Sequence, residues 1–90
     1  MIVGAQIRAA RALVRWTVED LAKSAKVGVM TVRRAEASDG PPSMLLNNMA
    51  AIRAALEAAG VEFIAENGGG PGVRLRKTST GGLADSSSGA

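Results

Sequence analysis

In the stretch KSAKVGVMTVRR, Lys23 to Arg34, four side chains are cationic and none is acidic. Cations gathered on so short a segment attract polyanions and steer their approach, so a nucleic acid is the first partner to consider. A solvated basic face with no partner is the alternative. The charge is local, because Ala37 to Gly72 sets Arg53 against Asp39, Glu57, Glu62 and Glu66. If Val29 to Ala37 is helical, Val29, Met30, Arg33 and Arg34 share the face turned away from Val32 and Ala35. An arginine so placed can bridge guanine O6 and N7 in a major groove, and Val29 and Met30 can touch thymine methyls. Thr31 can reach a phosphate or cap its own helix.

Other chemistries are poorly supplied. The 90 residues include no Cys and no His. That excludes disulfides, thiol nucleophiles, the usual zinc sites and every His-dependent catalytic arrangement. No constellation of base and nucleophile supports an enzyme, and no metal or cofactor is expected. NGGGPG, Asn67 to Gly72, has the composition of a phosphate loop, but the residues after it alternate like a strand, so it reads as a turn. Glu19, Asp20, Glu57, Glu62 and Glu66 read as surface charges and helix-dipole partners.

The elements that must hold the basic face follow from composition and spacing. Hydrophobic residues make up 47% of the chain but aromatics only 2%, Trp16 and Phe63, so the core is aliphatic and favours helices. Gly4 to about Val14 predicts a first helix with Ile7, Ala10, Arg11 and Val14 on one stripe. Met1 to Val18 holds Arg8, Arg11 and Arg15 and no acid, a composition shared with organelle-targeting peptides. The apolar spacing nevertheless runs on smoothly, so it is read as the first helix of the domain. Thr17 is an N-cap with Asp20 at the third helical position, opening a second helix to about Ala25 that buries Leu21, Ala22 and Ala25.

Gly28 then serves as an N-cap for the third helix, Val29 to about Ala37. Two short helices joined by Lys26 and Val27 cannot be collinear, and this is the helix-turn-helix pattern. SDGPPS, Ser38 to Ser43, is a loop ending on a capping Ser43. A fourth helix follows from about Met44 to Ala59, with Leu45, Met49, Ile52 and Leu56 inward and Gly60 after its end. Val61 to Ile64 and Val73 to Arg76 alternate as a hairpin with a Gly-rich tip, across which Glu62 can pair with an arginine. The hairpin extension spans 61–77, and its outer edge can pair with a second copy or pack against the fourth helix. Residues 78–90 lack apolar content and read as a disordered tail.

Taken together, GAQIRAAR, WTVEDLAKSA and TVRRAE, in that order and spacing, resemble the phage-repressor-type helix-turn-helix regulators known as the XRE family. AAIRAALEAAGVEFI followed by GGGPGVRLRK is similar to the C-terminal half of its short members. The resemblance implies a mainly α, lambda-repressor-like domain of about four helices over residues 1–60, carrying the hairpin behind it. It implies sequence-specific binding to double-stranded DNA as a homodimer in the cytoplasm, and regulation of transcription, most simply as a repressor. DNA contacts are then expected from Thr17, Lys26, Gly28, Val29, Met30, Thr31, Arg33 and Arg34. Amides opening the second and third helices, helped by Lys26, can hold phosphates.

Arg11 and Glu36 occupy positions that the family commonly joins by a salt bridge, and an arginine in an apolar seam needs such a partner. Four positions depart from the family pattern. Val18 stands where a DNA-contacting Gln is usual, Gly28 where a Ser or Thr is usual, and Arg15 and Lys26 where glycines are usual. The loss of two polar groups keeps open a second reading, a protein-interaction module of antiactivator or antitoxin type with weak DNA binding. No apolar run approaches the roughly 18 residues that a membrane span requires.

Overall fold

The computed structural model describes residues 2–40, 44 and 46–76. Its elements are helices α1 (Gly4–Leu13), α2 (Val18–Ala25), α3 (Val29–Glu36) and α4 (Leu46–Ala58), then strands β1 (Val61–Ile64) and β2 (Gly72–Leu75). Four helices and a C-terminal antiparallel hairpin are the expected architecture. The α1 boundary falls one residue early, as Val14 becomes the C-cap, and α3 likewise ends at Glu36 with Ala37 as its cap. The expected start of the fourth helix at Met44 is not met, because α4 is helical from Leu46. The capping role of Ser43, the inward place of Leu45 and the tail at 78–90 lie outside the described residues.

The core follows the aliphatic stripes. Ile7, Ala10, Leu21, Val32, Ala35, Ile52, Leu56 and Val61 are fully buried, with Ala22, Ala25 and Met49 beside them. Small alanines on α1, α2 and α3 let three short helices approach closely, and α4 lies across α2 to close the core. Ile2, ahead of α1, also enters the core.

The hairpin is packed into this assembly through Val61, Phe63 and Val73. Its register pairs Val61 with Leu75, Glu62 with Arg74, Phe63 with Val73 and Ile64 with Gly72. The expected cross-strand ion pair is Glu62 with Arg74, 2.8 Å apart. Hydrogen bonding to Arg74, more than its charge alone, holds the Glu62 carboxyl below the ordinary carboxylate range.

One side chain ties the two halves of the sequence together. Gln6 Oε1 accepts from the Val3 amide at 2.8 Å, and Gln6 Nε2 donates to the carbonyls of Ile64 and Gly72 at 3.2 and 2.9 Å. A buried amide must satisfy its polar atoms. Gln6 does so by joining the start of α1 to both strands of the hairpin.

Candidate nucleic-acid interface

The site begins with a rigid corner. Thr17 Oγ1 accepts from the Asp20 amide at 3.0 Å while Asp20 Oδ2 accepts from the Thr17 amide at 2.9 Å, a reciprocal cap that fixes where α2 starts. α2 ends on Lys26 in the left-handed conformation, φ +59°, ψ +43°, with its amide bonded back to the Lys23 carbonyl. The Val27 amide closes on the Ala22 carbonyl at 3.0 Å. Gly28, extended at φ −71°, ψ +151°, then opens α3. With this turn between them, α2 and α3 form the helix-turn-helix.

The rear of α3 is clamped by α1. Arg11 Nε and Nη2 each donate to a Glu36 carboxylate oxygen at 2.9 Å, and Arg11 Nη1 donates to the Trp16 carbonyl at 3.0 Å. The bond to Glu36 raises the Arg11 guanidinium above its ordinary range, outweighing the burial that opposes it. Arg8 adds bonds to the Glu36 and Ser38 carbonyls and an ion pair with Asp39. A cation at the last carbonyls of α3 also complements its dipole. Arg11 is thereby committed to structure, as its seam position implied.

With its rear held, α3 turns Met30, Arg33 and Arg34 outward, and Met30 is 57% exposed. Val29 was expected on that face, but it is half-buried because its apolar side chain packs against the core cluster; Thr31 is half-buried as well. Lys23, Lys26, Thr17 and Gly28 are exposed. Gly28 offers no capping side chain, so the amides of Val29 and Met30 have no acceptor among the described residues, while those of Thr31 and Val32 bond the Gly28 carbonyl. The amides of Val18 and Glu19 are likewise open at the start of α2. Two helix N-termini with open amides beside Lys26, Arg33 and Arg34 can take phosphates and present cations to base edges.

The two non-glycine residues with positive φ among those described are Arg15 and Lys26, both at φ +59°. Each stands at a turn, after α1 and after α2 respectively. A left-handed conformation costs a side chain roughly 1–2 kcal/mol relative to glycine. Lys26→Gly is therefore expected to stabilise the fold by about 0.5–1 kcal/mol in urea denaturation, after the entropy glycine adds to the unfolded chain. The same variant removes an exposed cation beside α3.

Sequence spacing missed three polar side chains of this region. Gln6 and Arg8 act through partners distant in sequence, and nothing local announces them. Glu19, read as a surface charge, lies 3.4 Å from Arg33 across the corner. Among the described residues no helix is long and apolar enough to cross a membrane, and no group of three or more acidic residues is placed to hold a metal ion. Comparison with known proteins finds no family model and no curated protein that matches the chain.

Proposed function

We propose that the chain is a cytoplasmic, sequence-specific DNA-binding regulator of transcription, acting as a repressor by inserting α3 into the major groove of its site. The observation that carries this reading is the cationic outer face of α3, Met30, Arg33 and Arg34, projected beyond a helix-turn-helix corner whose rear is locked by Arg11 and Glu36. Eight residues of α3 contact few base pairs, so useful affinity calls for two copies. A two-fold dimer places its reading helices about 34 Å apart, on successive major grooves. Leu75, exposed on β2, is available for such pairing, and α1 packs between that hairpin and α3.

The reading is tested by selecting duplexes from genomic fragments with the purified protein and measuring their affinity by fluorescence anisotropy over a salt series. The chosen duplex should bind with a steep salt dependence, and Arg33→Ala/Arg34→Ala should weaken it at least about tenfold without unfolding the protein. Unchanged binding by the folded double variant would remove α3 from the interface. Exposed Met30 at the centre of the face favours the second reading, a protein partner docked on α3. Stoichiometric capture of one protein together with weak, sequence-indifferent DNA binding would support that reading over the first.

A further inference from the structure

The two adjacent guanidiniums of α3 are not equivalent. Arg33 Nη2 lies 3.4 Å from Glu19 Oε2, whereas Arg34 has no ion-pair or hydrogen-bond partner among the described residues. Glu19 is the second residue of α2, and its side chain is 63% exposed. An anion there stands on the surface where the open amides of Val18, Glu19, Val29 and Met30 would meet phosphates, and it opposes their charge preference. The reciprocal cap with Thr17 is completed by Asp20, so Glu19 makes no capping bond and gives the start of α2 only its charge. Its one polar side-chain contact among the described residues is with Arg33.

We propose that Glu19 is a specificity-determining residue, which restrains Arg33 so that sequence-indifferent DNA binding is suppressed relative to binding at the correct site. This rests on the DNA-binding reading above. Non-specific affinity is almost wholly phosphate electrostatics, so neutralising one of a small set of cations weakens it directly. An exposed ion pair contributes only about 0–1 kcal/mol, so Arg33 leaves Glu19 at small cost when a guanine edge offers two acceptors in register. Restraint beside α2 also leaves less side-chain freedom to lose in that contact. Arg34, unrestrained, supplies the attraction common to every duplex.

Glu19→Gln keeps the shape of the side chain and removes the charge. Against a random duplex it should bind about fivefold tighter than the parent protein, with a log–log salt slope steeper by about 1. Against the selected duplex the gain should be smaller, so the ratio between the two duplexes falls. In Glu19→Gln/Arg33→Gln most of the gain on random DNA should vanish. Unchanged binding of random DNA by Glu19→Gln, equal tightening on both duplexes, or a gain that persists without Arg33 each overturns the inference while leaving DNA binding intact. A parent protein that binds neither duplex at low salt overturns the functional reading itself, and this inference with it.

Discussion

Glu36→Ala is expected to destabilise the protein by about 3 kcal/mol, as much as truncating a fully buried aliphatic side chain of the core. The Glu36 side chain is 8% exposed and receives both Arg11 bonds, so its removal leaves a largely buried Arg11 side chain with only the Trp16 carbonyl. An unpaired buried charge is what makes such truncations costly. For a domain of this size the midpoint of thermal denaturation should fall by at least about 10 °C. Glu36→Gln retains one acceptor without the charge and should lose about half as much. Arg11→Met/Glu36→Leu, which removes both charges, should recover much of the loss. A shift of only a degree or two in Glu36→Ala, measured by circular dichroism, would show that the pair does not hold α3 in place.

Gly4→Ala is expected to cost about 3 kcal/mol, against the helix propensity of alanine, which alone would predict a gain. Gly4 is the first residue of α1 and its amide bonds the Gly40 carbonyl at 2.9 Å. A Cβ there would lie 2.6 Å from the Ala35 carbonyl oxygen and closer still to that of Ser38. Both obstacles are backbone, which no rotamer change relieves. α1 would have to retreat from the end of α3, loosening the Arg8 and Arg11 clamps together. Gly69→Ala is the control, since nothing lies within 4 Å of a Cβ there, and it should be near neutral. A stabilised Gly4→Ala in urea denaturation would contradict the close approach of these helices.

Both predictions concern contacts that the linear sequence disclosed unequally. Arg11 announced a partner, because a guanidinium interrupts an apolar stripe at helical spacing, and its pairing with Glu36 followed from family resemblance. Gly4 announced nothing, since a glycine opening a helix looks like any cap until the chain that passes over it is known. The Thr17–Asp20 cap, the buried Leu21, Ala22 and Ala25, the glycine after α4 and a cross-strand pair between Glu62 and an arginine were all legible, each being set by residues near in sequence or by strand alternation, while the register alone chose Arg74. Gln6 was not, as its acceptors at Ile64 and Gly72 lie 58 and 66 residues away.

Within the candidate interface, the periodicity of α3 separated Arg33 and Arg34 from Val32 and Ala35. It could not separate Val29 from Met30, because the tilt of α3 against α2 decides which apolar side chain of the first turn is covered. The tie between Glu19 and Arg33 was hidden for a related reason. It spans a corner whose angle depends on Lys26 adopting a left-handed conformation that lysine rarely takes. Where glycine would have marked that turn plainly, a cation holds it, and the Lys26→Gly variant separates its part in the proposed DNA binding from what it takes from stability.

The most direct test of the account is an amide chemical-shift titration of the isotope-labelled protein with its selected duplex. The account predicts large perturbations at Val18 and Glu19, through Lys26 to Thr31 and at Arg33 and Arg34, with Val61 to Ile64 unmoved. Perturbations confined to α4 or the hairpin, or none at all with DNA in excess, would contradict it.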